Sequence, residues 1–314
     1  MSEIEFELSY AGNDADNHEL DFYDAAEALI GFQRSLALTT HLILNGEIIT
    51  QAPSLKGAEI MVRPPKTGSW TILAFISWTG IVGGGLGALY KLGTAPRGTP
   101  LGNLVSSVYD YLISESLGFH VDYDKTLGQQ YEIVQGYKQK QKIEPPSLIV
   151  PKESQMDSLA EKCETAIKQM HRPIVGKGTA LNGMVACQNS RGKRNTQILN
   201  RDTYNYISIT KERDTPTDDI GRISSYNSNT FKGRIYSLTE KRPIPFELSD
   251  AVRNPYNIQL ITQSLTENAL SKSSENGYIG FEAYRIESQT GLLKKLYIIN
   301  VRRATVGEVL MSQI

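Results

Sequence analysis

Cysteine is nearly missing from this chain. Two residues, Cys163 and Cys187, among 314 are too few for a disulfide framework and point to a reducing compartment. Histidine is almost as scarce. His18, His41, His120 and His171 lie far apart, and none has a His or Cys partner at zinc spacing. No G-x-S-x-G elbow, H-E-x-x-H helix or zinc-deaminase pattern occurs. The phosphate loop G-x-x-x-x-G-K-[ST] is absent too. Gly80 and Gly85 are spaced for it, but Leu86 stands where lysine is required. No catalytic residue, metal ligand or resident cofactor is assigned, and a non-enzymatic role is expected. The opening MSEIEFELSY is acidic and lacks a basic stretch ahead of an apolar one. No signal peptide is therefore expected, and the cytoplasm is the expected compartment.

A net charge of one sign is missing as well. The 33 Lys+Arg stand against 34 Asp+Glu, a net of −1. The average hides a division. Residues 1–172 hold 14 Lys+Arg and 21 Asp+Glu, a net of −7. Residues 173–314 hold 19 and 13, a net of +6. A change of sign along a chain suggests two functional surfaces, or two halves that attract each other.

Apolar residues make up 40% of the chain, which supports a real core and excludes wholesale disorder. The length fits two ordinary domains. The expected fold class is α+β. An acidic domain of mixed helix and antiparallel sheet spans 1–172, and a basic, mostly-β, OB-like barrel spans 173–314.

Helical spacing of Phe22, Ala25, Leu29, Phe32, Leu36 and Ile43 predicts a long core-packed helix over 22–44. Asp21 is its expected N-cap and Asn45-Gly46 its stop. Strands are expected at 3–10, 47–51, 58–63 and 69–76. Thr99-Pro100 opens a second helix that Gly118 ends. A polar helix over 127–141 follows, then a third helix from Ser154 with Glu164 and Lys168 one turn apart. Past residue 172 the pattern changes to short runs rich in Tyr, Ile, Thr and Val. Strands are expected at 203–210, 220–226, 231–238, 278–286 and 292–301, with a helix over 257–270 and an extra strand near 179–186. Three strands, a helix and two strands is the connectivity of an OB-like five-stranded barrel.

Trp70 to Tyr90 carries no charge for 21 residues, and a helix of ~20 apolar residues can span a bilayer. Three features argue against a span. Five glycines dilute its hydrophobicity. Its first part alternates as a strand, with Trp70, Ile72, Ala74 and Ile76 on one face. The remaining stretch is short for a membrane core. The membrane alternative would place Ile72, Phe75, Trp78, Ile81 and Val82 against lipid. Within the same run, Gly83, Gly85 and Ala88 satisfy the dinucleotide fingerprint G-x-G-x-x-A, whose glycines let backbone approach a pyrophosphate. Its context fails. Gly93 and Pro96 stop the helix early, and the next acid, Asp110, sits inside a helical pattern. Close packing explains the glycines better. The acidic loop Asn13–Asp21 resembles a calcium loop in its alternating Asp14, Asp16 and His18. Glu19 and Ala25 occupy the places where Gly and Glu are required.

The basic half holds the candidate binding residues. Lys177, Arg191, Lys193 and Arg194 lie in polar segments. Arg222, Lys232 and Arg234 lie among Tyr206, Tyr226, Phe231 and Tyr236. Positive charge interleaved with aromatics on an OB-like sheet suits a single-stranded nucleic acid. Tyrosine favours any strand, and a basic sheet also suits a protein partner.

The segments TTHLILNGE (39–47) with KTGSW (66–70), and SSYNSNTFKGRIYSLTEKRPIPFEL (224–248), resemble uncharacterised bacterial proteins of prophages and of mobile or defence islands. The resemblance implies a bacterial or phage cytoplasmic protein and no known reaction. The expected function is a binding or adaptor protein whose barrel recognises a protein or a nucleic acid. Two alternatives stay open: a membrane-active effector using 72–92, and a dinucleotide-binding enzyme built on 83–88. A second copy of the chain is a further partner that the sequence leaves open.

Overall fold

The computed structural model describes residues 5–49, 55, 58–63, 70–78, 100–119, 121, 123, 127, 150–188, 194–270, 277–288, 291 and 293–311. They fall into two units, Met1–Ser208 and Ile209–Ile314.

In the first unit Asp21 caps a helix as its sequence position requires. Its carboxylate accepts the amide of Asp24 at 3.1 Å. Helix α1 (Phe22–Asn45) then runs to Gly46, whose φ of 72° closes the last turn onto the carbonyl of Leu42. A five-stranded antiparallel sheet has the order β2-β3-β1-β4-β5. Its strands are β1 (Glu5–Ala11), β2 (Ala58–Arg63), β3 (Trp70–Trp78), β4 (Asn182–Gln188) and β5 (Arg194–Leu199). Phe6, Leu8 and Tyr10 alternate onto one face. The register puts them beside Ala74, Ile72 and Trp70 on β3, and beside Cys187, Val185 and Gly183 on β4. That face joins a core with Phe32 and Leu36 of α1 and with Leu159 and Cys163 of a later helix. Each fully buried Leu or Phe there contributes roughly 1.5–3 kcal/mol. Further helices of this unit are α2 (Pro100–Ser116), α3 (Glu153–Met170), α4 (Arg172–Val175) and α5 (Arg201–Ser208). Pro100 opens α2, and Lys168 pairs with Glu164 on α3 at 2.5 Å.

The expected strand at 203–210 is a helix. Alternating Tyr and Ile fit a strand. At helical steps, however, Thr203, Tyr206 and Ile207 share one buried face. Asn200 decides between the two. Its side chain accepts the amide of Thr203 at 2.8 Å, and the hydroxyl of Thr203 accepts the amide of Asn200 at 2.9 Å. This reciprocal cap fixes the first turn. The expected boundary at 172 also moves. β4 is the extra strand expected near 179–186, and it pairs with β1, so the first unit continues to Ser208. Residues 47–49 form no strand. The expected helix over 127–141 lies outside the described residues, apart from Leu127.

The hydrophobic run begins as β3, which lies between β1 and β2. Ile72 lies across from Leu8, and Phe75 packs under the Arg63 guanidinium at 5.0 Å. The side chain of Trp78, and residues Ile81, Val82, Gly83, Gly85 and Ala88, lie outside the described residues. Among the described residues no helix is long and apolar enough to cross a membrane.

The second unit is a closed five-stranded barrel. Its strands are β7 (Thr217–Asn227), β8 (Lys232–Ser237), β9 (Arg242–Leu248), β10 (Ile279–Ser288) and β11 (Leu293–Arg303), preceded by the short β6 (Thr210–Glu212). The ring runs β7-β8-β9-β11-β10 and back to β7, and β6 extends the β7 edge of β10. β9 and β11 pair in parallel while the other neighbours are antiparallel. Helix α6 (Pro255–Leu270) lies between β9 and β10, and α7 (Val306–Met311) follows the last strand. This is the OB-like connectivity that the sequence implies.

The expected strand at 203–210 is not one of the barrel's five, and the barrel's third strand has no counterpart among those expected. The third strand is 242–248, where Pro243 and Pro245 argue against a strand. The register explains their tolerance. Leu248 donates its amide to Phe231 of the neighbouring hairpin, so the even-numbered amides of β9 face β8. The prolines occupy odd positions facing the other edge, where β11 pairs only with Phe246–Leu248. Inside the ring Ile223, Ile235, Ile244, Phe246, Phe281, Leu296 and Ile298 form the core. A bulge in β7 after Ile223 interrupts the ladder. Helix α6 satisfies the freed backbone there. Ser264 accepts the Ile223 amide at 3.0 Å, and Asn268 donates to the Ile223 carbonyl at 3.2 Å.

Candidate nucleic-acid interface

Alternation on β8 and β9 sends Ile235, Ile244 and Phe246 inward. Lys232, Arg234 and Tyr236 alternate to the other side, opposite Glu247, Pro245 and Pro243. The sequence grouped these cations as one patch. The structure divides them. Arg234 is 4% exposed and Arg222 is 8% exposed, the latter stacked 3.9 Å over the Tyr278 ring. Neither presents its charge to a ligand. Tyr226 stacks on Phe246, and Tyr226 and Phe231 both pack, half-buried, against the barrel core. Tyr236 is exposed.

A different set of cations gathers at Glu247. Lys295 Nζ lies 2.5 Å from the carboxylate, and Lys232 Nζ and an Arg253 nitrogen lie at 4.0 Å. They come from β11, β8 and the turn after β9. Burial raises the Glu247 carboxyl. The Lys295 hydrogen bond and the charges of Lys295, Lys232 and Arg253 outweigh it and hold the group below its ordinary value. Arg253 is fixed by two hydrogen bonds to the Leu248 carbonyl and by Asp250 at 2.6 Å. Its guanidinium lies 4.8 Å from the Phe231 ring centroid. Phe231 ends the β7–β8 hairpin at φ 55°, a left-handed conformation that costs a non-glycine residue about 1–2 kcal/mol. Lys241 ends the next hairpin in the same way, so the conformation belongs to the turn type.

Three expected site residues belong to the first unit. Tyr206 is buried on α5 in the first unit. Lys177 is exposed in the first unit, where its amide donates to Asp24 at 2.8 Å. Arg194 begins the edge strand β5, and its side chain lies outside the described residues, as do Arg191 and Lys193 entirely. Nothing in the local sequence pattern singles out Glu247, Arg253 or Lys295. Only the alternation of RPIPFEL could have placed Glu247 beside Lys232.

Moving the boundary also removes most of the charge asymmetry. Residues 209–314 hold 14 Lys+Arg against 12 Asp+Glu, a net of +2, and residues 1–208 hold 19 against 22, a net of −3. The basic excess belongs largely to 173–208, in the first unit.

His171 and Thr203 come close to a base–hydroxyl pair, with Nε2 and Oγ1 3.0 Å apart. Access rules out catalysis there, because His171 is 0% exposed and Thr203 7%. Among the described residues no group of three or more His, Cys, Asp or Glu could hold a metal.

Two family models match the chain. One, described as a family of unknown function (DUF7947), covers residues 216–302, most of the barrel. The other, a domain of unknown function (DUF7946), covers residues 6–208. No curated protein matches. The second match spans more than half of the sequence and ends where the first unit ends, so the chain belongs to the DUF7946 family.

Proposed function

We propose that the chain is a non-enzymatic binding protein whose barrel recognises a single-stranded nucleic acid on the β8–β9 face. The convergence of Lys295, Lys232 and Arg253 beside the Phe231 ring carries this reading. Cations meet the phosphates, and an aromatic ring takes a base at about 1–3 kcal/mol per stacked base. In OB folds the second and third strands carry such ligands, and β8 and β9 hold those places here. The barrel's mild charge and its buried Arg222 and Arg234 favour a short contact of two or three phosphates over a long tract.

The test is fluorescence anisotropy of labelled 12-nucleotide oligomers with the full chain. Saturable binding is expected at low salt, weakening with a log–log slope of about −1.4 to −2.1 for two or three phosphates. A flat titration at low salt, up to the ~100 μM typical of weak non-specific binders, would discard the nucleic-acid reading and leave this face to a protein partner.

A further inference from the structure

On that reading, we propose that Glu247 is a built-in competitor for the ligand's phosphate. Its carboxylate lies where cations from three separate elements converge: Lys232 on β8, Lys295 on β11 and Arg253 after β9. A carboxylate and a phosphate oxygen present the same acceptor chemistry to an ammonium group. With no ligand present, Glu247 keeps these cations from repelling one another. A ligand phosphate must draw Lys295 away from the 2.5 Å contact before it can use that charge. The side chains of Glu247 and Lys295 are 27% and 31% exposed, so both reach solvent and can exchange partners.

Neighbouring groups fit this role. Arg253 is paired with the exposed Asp250 and pinned to the Leu248 carbonyl. It therefore acts as a fixed wall over Phe231, and Lys295 is the charge that changes partner. Asp218 on β7 supplies the comparison. It is an exposed carboxylate on the same barrel, and no described ion pair joins it to these cations.

The experiment compares the full-length chain with its Glu247→Gln and Asp218→Asn variants, using labelled oligothymidylate across a salt series. Glu247→Gln keeps the side chain's shape and removes the competitor. Affinity is expected to rise about fivefold, the equivalent of ~1 kcal/mol for a freed ion pair. The salt slope should steepen by about 0.7 as one more cation meets a phosphate. Asp218→Asn should change neither by a comparable amount. Equal gains from both variants would show only a general charge effect and overturn the proposal. So would a lower melting temperature for Glu247→Gln without tighter binding, which is the result of a merely structural ion pair. Binding by the unaltered chain with no gain in Glu247→Gln overturns the competitor role alone. No binding by any of the three overturns the nucleic-acid reading and the competitor role together.

Discussion

The Nε2 of His171 lies 3.0 Å from the Oγ1 of Thr203 and fastens the end of α3 to the first turn of α5. The other ring nitrogen faces the Ile167 carbonyl at 2.8 Å. Nδ1 must therefore carry the proton, and Nε2 accepts from Thr203. Burial pushes the imidazole down to about 4, and the Ile167 hydrogen bond only partly offsets this.

Stability should fall as the pH drops from about 6.5 towards 4. In that window the unfolded chain binds a proton that the folded chain excludes. The stabilisation is complete above the unfolded value and is lost on acidification, with a full size of about 3 kcal/mol. Urea denaturation at pH 7.5 and 5 should show about 2 kcal/mol of it. His171→Gln should flatten the dependence in this window, and an unchanged pH profile would count against the assignment.

Asp24 is 1% exposed, and Arg172 grips it through two nitrogens at 2.9 and 3.1 Å. The Lys177 amide supplies a third donor at 2.8 Å. Arg172 is itself 40% exposed, which reduces what its charge contributes. The loss from Arg172→Ala should still be about 2 kcal/mol, because a buried carboxylate forfeits charge-assisted hydrogen bonds. Asp24→Leu should cost at least as much, since three donors lose their acceptor. A shift of less than a few tenths of a kcal/mol in chemical denaturation would contradict this account.

Gly233 has no room for a side chain. A Cβ there would sit 2.2 Å from the Ser225 carbonyl oxygen and 2.9 Å from the Phe246 ring. Both belong to the barrel wall, so Gly233→Ala should destabilise the barrel by about 1–3 kcal/mol, the usual cost of overpacking. Its unfolding midpoint in urea should drop. An unmoved midpoint would mean that β7 and β8 separate more easily than their ladder suggests.

The sequence showed the elements that carry their own periodicity and caps. Helix α1 and its Asp21 and Gly46 ends were legible because both caps act locally. So were four of the five barrel strands, since β7, β8, β10 and β11 each alternate. Two local conflicts misled. TYNYISIT satisfies a strand and a helix alike, and only the Asn200–Thr203 cap separates them. Pro243 and Pro245 hide a strand whose legality depends on which edge of β9 is left open. The candidate site was the least legible part. Burial, which decided that Arg222 and Arg234 are spent inside the fold, leaves no mark on composition. The approach of Lys295 to Glu247 joins two strands that pair in parallel across 48 residues, and no local pattern announces such a pairing.

Charge and stacking should separate cleanly at the barrel face. Lys295→Gln and Lys232→Gln each remove one phosphate partner. Each should weaken oligonucleotide binding about fivefold at low salt, the equivalent of ~1 kcal/mol, and flatten the salt slope by about 0.7. Phe231→Leu removes the ring and leaves the number of charges unchanged. It should weaken binding at every salt concentration by about 1–3 kcal/mol for one lost stack, with the slope unchanged. Anisotropy titrations of the three variants over a salt series distinguish the two roles. Melting curves must show that the barrel remains folded, because Arg253 rests on the Phe231 ring. If Phe231→Leu alters the slope while the lysine variants do not, the cations and the ring have been given each other's roles.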